Sequence, residues 1–131
     1  MISHRWGAPE HPDPQGVQMR ALKEYLLSHP KVRWVWYDFS CMPQGRHRTA
    51  EEVQEFRTML RSVNLLFIGC AGLILLDASY ISRFWTMLEA WLMLSTPTKA
   101  GFQKASAAEQ QVTIVPIHSA SDHLVEFLQT I

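Results

Sequence analysis

Trp85 and Glu89 stand four residues apart in the run SRFWTMLEAWL, Ser82 to Leu92, so a helix there carries an indole and a carboxylate on one face. Leu88, Ala90, Trp91 and Leu92 flank Glu89. A carboxylate buried among such neighbours must either find a cation or hold its proton to higher pH. Arg83 and Arg5 are the cations a purely structural ion pair would use, with Trp85 and Trp91 then serving as core. The other chemistry-bearing side chains, His4, Arg5, Asp38, Asp77, Ser79 and Tyr80, fall where apolar runs end. The six histidines are scattered without metal-ligand spacing, so they read as exposed or hydrogen-bonded structural groups and no metal is expected. Cys41 has no acid-orienting neighbour and reads as a spectator thiol. Gly69, Gly72 and Gly101 do not form a G-x-G-x-x-G turn after a strand, which argues against a dinucleotide-binding dehydrogenase. Met87 and Met93 read as packing residues.

These residues need elements to position them. Met1 to Ser3 reads as a short strand that runs into a loop holding three prolines and two glycines, up to Gly16. From Val17 the apolar positions follow helical spacing until Pro30. Val32 to Phe39, VRWVWYDF, is aromatic and β-branched and reads as a buried strand, followed by a loop to Arg48. Thr49 with Glu52 three residues later is a capping-box pattern, so a helix is expected from about Ala50 through Val63 and on toward Phe67. Leu73 to Asp77 is a short apolar run of the kind found in parallel strands covered on both faces. A helix from about Ser82 to Leu94 follows, then loop or weak helix over Thr96 to Gln111. Val112 to Ile117 reads as a strand, and Ser121 to Ile131 as a helix capped by Ser121 or Asp122. Strand and helix thus alternate, as in an α/β domain with a parallel sheet. In such sheets ligands collect at the carboxyl ends of the strands, where the polar residues above lie.

At 131 residues the chain reads as a single domain, 1–131, with enough length to bury a core. Twelve basic and twelve acidic residues cancel, and 47% of the residues are apolar. This balance argues against disorder and against a polyelectrolyte partner, so no nucleic acid is expected. Leu65 to Leu76, the longest apolar run, is broken by Gly69 and Gly72 and is shorter than the ~20 residues of a membrane span, so no membrane is expected. Two cysteines make no disulfide framework, which points to a reduced, cytoplasmic protein.

Taken in order, ISHRW at Ile2 to Trp6, VWYDFSCMPQG at Val35 to Gly45 and LILLDASYISRFWTMLEAW at Leu73 to Trp91 resemble the three boxes of the TIR (Toll/interleukin receptor/resistance) domain family. The third box carries most of the likeness through Tyr80, Arg83, Trp85, Thr86 and Glu89, with its W-x-x-x-E spacing intact. Thr86 stands where the family commonly has cysteine, and Arg83 where serine is common. The loop Phe39 to Arg48 reads CMPQGRHR in place of a more acidic, glycine-rich version. The resemblance covers nearly the whole chain. It implies a flavodoxin-like α/β fold, with a parallel sheet in the order 2-1-3-4-5 and helices on both faces.

Enzymatic members of that family cleave NAD at the nicotinamide–ribose bond, so the resemblance implies an NAD glycohydrolase or ADP-ribosyl cyclase in an immune or cell-death response. NAD would be substrate, and no cofactor is expected. Glu89 matches the catalytic glutamate, Trp85 the aromatic at the nicotinamide side and Arg5 the arginine after the first strand, with Ser3, Tyr80 and Asp38 as further substrate-binding candidates. A carboxylate can stabilise the oxocarbenium charge that develops on the ribose, and an indole can stack on the pyridinium. Arg5 and the amides of the Asp77 to Ser82 turn are candidates for the diphosphate. Self-association through the Phe39 to Arg48 loop, or pairing with another TIR domain, is also implied. Two alternatives remain: a non-enzymatic interaction module acting by homotypic assembly, and a nucleotide sensor without turnover.

Overall fold

The computed structural model describes residues 1–131 as a mixed α/β arrangement around a small parallel sheet. Its elements are β1 (Ile2–His4), α1 (Val17–Ser28), α2 (Asp38–Cys41), α3 (Ala50–Gly69), β2 (Gly72–Leu76), α4 (Phe84–Met93), β3 (Ser95–Thr98), β4 (Gly101–Lys104), β5 (Val112–Pro116) and α5 (Asp122–Thr130). A single 3₁₀ turn, Tyr80–Ser82, leads into α4. The three-stranded sheet runs β1-β2-β5, with both pairings parallel.

Every residue of β2 is buried, and its alternation divides the interior in two. Ile74 and Leu76 pack with Phe67 of α3, Ala90 and Met93 of α4 and Leu128 of α5. Leu73 and Leu75 pack on the other side with Ile2, Leu22 of α1, Tyr37 and Ile117. The Met93 side chain packs closely on Gly72, where a Cβ would stand 3.0 Å from it and displace the thioether. The continuous apolar run of β2 is therefore that of a strand covered twice.

The Thr49 capping box closes as its spacing predicts. Glu52 N–H donates to Thr49 Oγ1 at 3.2 Å and Thr49 N–H to Glu52 Oε2 at 2.7 Å, which satisfies two otherwise orphaned donors at the start of α3. Ser121 does precede α5, but its side chain makes no capping bond.

Two expected elements come out differently. Val32 to Phe39 forms no ladder: its bond to the sheet is Ile2 N–H to Trp36 O at 3.1 Å, and Asp38 to Cys41 turns into the short α2. The high strand propensity of VRWVWYDF is not enough, because β1 is three residues long and offers little edge, and Trp34 points outward at 91% exposure. The first part of the polar stretch from Thr96 to Gln111 is not loop or weak helix but the antiparallel hairpin β3–β4, turned at Gly101 with φ +114°, while residues 105–111 are loop as expected. Thr98 Oγ1 donates to Gly101 O at 2.7 Å and holds that turn. No helix is long and apolar enough to cross a membrane.

Candidate functional site

A cleft of about 920 Å³ opens beside the carboxyl end of β1. It is lined by His4 and Trp6, by Asp38, Phe39 and the Gly45 to Arg48 loop, by Phe56 and Leu60 of α3 and by Glu89 of α4. The volume lies within the roughly 300–1,000 Å³ usual for ligand sites.

Glu89 meets no cation here. Its Oε2 accepts a hydrogen bond from Ser3 Oγ at 2.6 Å, and Ser3 Oγ in turn meets Tyr80 Oη at 2.5 Å. Because Ser3 gives its proton to Glu89, Tyr80 is the donor of the second bond; burial raises the Tyr80 hydroxyl's pKa well above the usual range and keeps it protonated. Burial pushes Glu89 up to about 7, against the opposing effects of the Ser3 hydroxyl and the charge of His4, while Asp38 adds to the rise. The expected structural ion pair is thus absent: Arg5 Nε donates instead to Asp77 Oδ2 at 2.6 Å, and Arg83 is exposed. A half-buried carboxylate that holds its proton to higher pH is the remaining solution to the problem posed by its apolar neighbours.

Asp38 organises the part of the lining around His4 and Trp6. Its Oδ1 faces His4 Nε2 at 2.8 Å and accepts from Phe39 N–H at 2.6 Å, while Oδ2 accepts from Trp6 Nε1–H at 2.7 Å. Burial pushes its carboxyl up, but these hydrogen bonds and the charge of His4 outweigh that and hold it below the ordinary value. His4 stacks on Tyr37 at 4.5 Å and Trp6 meets Phe39 edge-on at 5.6 Å.

The structure brings together Glu89, Ser3, Tyr80 and Asp38, and it separates two other candidates from them. Ser3 and Tyr80 are fully buried, so they orient Glu89 and do not themselves meet a ligand. Trp85 is 70% exposed, packs edge-on against Phe84 and does not line the cleft. Arg5 lies outside the cleft, neutralised by Asp77 and bonded to the Trp6 carbonyl at 3.0 Å. The amides of the Asp77 to Ser82 turn are also engaged: Ser79 N–H with Asp77 Oδ1, Tyr80 N–H with Asp77 O and Ser82 N–H with Ser79 O. The Thr86 hydroxyl donates to Tyr80 O at 2.5 Å, with Arg83 O at 3.0 Å, and so ties the 3₁₀ turn to α4.

Sequence reasoning placed His4 among the polar residues at strand ends but read it, with the other histidines, as a structural group, and it did not assign Trp6 a role. It also gave the Gly45 to Arg48 loop to assembly alone, yet Arg46 and Arg48 are the guanidinium groups that border the cleft. Arg46 pairs with Glu10 at 3.1 Å, and Arg48 lies over the Phe56 ring at 4.3 Å. No group of three or more His, Cys, Asp or Glu is arranged to hold a metal ion. Comparison of the chain with family models, curated proteins and solved structures finds no match.

Proposed function

We propose that this chain is a TIR-like domain that cleaves the nicotinamide–ribose bond of NAD, as a glycohydrolase or cyclase in a cytoplasmic immune or cell-death response. The observation that carries the reading is Glu89: a half-buried carboxylate, free of any cation, held by Ser3 in the lining of a cleft of about 920 Å³. Departure of nicotinamide turns a cationic ring into a neutral one, so no acid is required; the demand is for an anion beside the ribose as oxocarbenium charge develops. Ionised Glu89 meets that demand. Within the fold we assign the flavodoxin-like order 2-1-3-4-5, supported by the parallel run β1-β2-β5 and by the extended segment beside β1 at Trp36.

In this reading the indole available to the pyridinium is Trp6 rather than Trp85, since Trp6 lines the cleft. Trp6→Ala is expected to slow NAD cleavage by about 2–30-fold, the factor that a cation–π contact of ~0.5–2 kcal/mol represents. Trp85→Ala is expected to match wild type in the same nicotinamide-release assay. The reverse pattern would return the stacking role to Trp85. Cleavage should also rise with pH, half-maximal near 7 as Glu89 ionises, and fall about tenfold for each unit below that. A rate flat from about pH 5 to 9 would remove Glu89 ionisation from the reaction.

The exposed pair Phe84 and Trp85 favours the second reading, an interaction module that works by homotypic assembly. The Phe39 to Arg48 loop, which walls the cleft, remains the proposed self-association element, so assembly and substrate entry would share a surface. Incubating concentrated protein with NAD separates the readings. Nicotinamide release supports the enzyme, binding without release the sensor, and concentration-dependent association without either supports the module.

A further inference from the structure

We propose that the segment joining α1 to α2 docks on an anionic phospholipid bilayer, with one acyl chain entering the apolar pocket beside it. The pocket holds about 300 Å³, at the lower end of ligand sites, between the amino end of β1, α1, the end of α3 and the extended stretch Val32 to Trp36. Thirteen residues line it and all are hydrophobic. The nearby backbone amides are spent. Met1 N–H donates to Ala71 O at 3.0 Å, Ile2 N–H to Trp36 O at 3.1 Å and Leu73 N–H to Met1 O at 2.9 Å. A peptide in the pocket would therefore leave its carbonyl groups unpaired, whereas a hydrocarbon chain asks for no donor.

The rim of the pocket carries the two features of a membrane-surface anchor. Trp34 lines the pocket yet stands almost wholly in solvent, Val32 is exposed near it, and Leu27 is exposed in the last turn of α1. An indole has the apolar body and the polar N–H that favour the headgroup level of a bilayer. The second feature is charge. Over residues 20–36, Arg20, Lys23, Lys31 and Arg33 stand against Glu24 alone, a net charge of +3 with His29 neutral, in a chain whose total is zero. All five are exposed and none makes an ion pair. Anionic headgroups supply the missing counter-charge. A second copy does not, because an isologous contact through this face sets like charge against like. Ile2 and Trp36 line both cavities, but the cleft lies beyond the carboxyl end of β1 and this pocket at its amino end, beside Met1 and Ala71, so docking and the cleft use opposite ends of the strand. Docking of this kind lies on the bilayer without crossing it, and it does not rest on the NAD-cleaving reading.

The test is co-sedimentation of the full chain with vesicles of phosphatidylcholine alone or mixed with phosphatidylserine. Wild type should bind the mixed vesicles and be released by salt. Lys31→Ala and Arg33→Ala should each weaken binding about fivefold, and together ~30-fold. Trp34→Ala should weaken it about tenfold. Lys31, Arg33 and Trp34 are exposed, so these variants should melt with wild type. Entry of the acyl chain is read separately in Trp34→Phe, which keeps an aromatic anchor and leaves Trp36 in the pocket lining as reporter. Phosphatidylserine brominated on its acyl chains should quench the tryptophan fluorescence of that variant. Equal binding to both kinds of vesicle, wild-type binding by Trp34→Ala or by the double alanine variant, or no quenching in Trp34→Phe overturns the proposal. Sedimentation velocity without lipid covers the remaining occupant: a wild-type dimer that Trp34→Ala converts to monomer gives the face to a second copy and overturns it as well.

Discussion

Glu89→Gln is expected to lower nicotinamide release from NAD by about 10²–10³-fold, the loss typical of one preorganised electrostatic contact, while raising the melting temperature at mildly alkaline pH. Gln keeps the shape and an amide oxygen that can accept from Ser3, so only the charge is deleted. The direction of the stability change follows from the raised folded value. Glu89 ionises near 7 when folded but has an ordinary value of 4.5, so the folded state binds its proton more tightly. Stability from this group is therefore present in full below 4.5, is lost as pH rises from there through 7, and does not fall further above that. At about pH 8 the cost is on the order of 3 kcal/mol as an upper figure, since the side chain is only partly enclosed. A glutamine escapes that cost at every pH. Wild type and variant should melt together near pH 4 and diverge as pH rises, with the variant higher. A structural ion pair with Arg83 or Arg5 predicts the opposite, a variant that melts lower at neutral pH. A variant as active as wild type would remove Glu89 from the chemistry.

What could be read from the chain, and what could not, divides by the distance over which the information acts. The start of α3 is written in two residues three apart, Thr49 and Glu52, and the bonds they form are local. The burial of β2 is written in an unbroken apolar run, and the burial of Glu89 in its four apolar neighbours. Helical spacing placed Trp85 and Glu89 on one face, but spacing sets an angle around the axis and says nothing about depth along it. Trp85 falls in the first turn of α4, at the solvent end, while Glu89 lies one turn further in beside β1. The places of His4 and Trp6 were not legible because both owe them to Asp38, more than thirty residues downstream, and nothing local marks that contact. The hairpin Ser95–Lys104 was obscured by Pro97 and by polar residues, which suit an exposed edge but carry no apolar alternation. Asp38 and Glu89, by contrast, do line one cleft with His4 at the end of β1, where the carboxyl-end rule for parallel strands looks for ligands.

Asp38→Ala is the substitution with the largest expected cost to the fold at neutral pH. It leaves the ring N–H of His4, the indole N–H of Trp6 and the Phe39 amide without their acceptor. A buried donor without a partner costs about 1–3 kcal/mol. The Asp38 side chain is 32% exposed, so water entering the cleft recovers part of this, and a net loss of about 2–3 kcal/mol is expected for the three donors together. Asp38→Asn should fall between, since its amide offers one acceptor oxygen but turns a donor toward either His4 or Trp6. The pH dependence runs opposite to that of Glu89. Asp38 is held below its ordinary value of 3.8, so its contribution is present in full above 3.8 and is lost as pH falls through the lower, folded value. Together the two carboxyls give wild type a stability that climbs as pH drops from about 7 to 4.5 and declines below 3.8. Asp38→Ala keeps the first limb and loses the second, whereas Glu89→Gln loses the first and keeps the second. Thermal melts of the three proteins from about pH 2 to 8 read both limbs at once. An Asp38→Ala protein that melts with wild type at neutral pH would mean that these donors find other partners and that Asp38 does not hold the cleft wall.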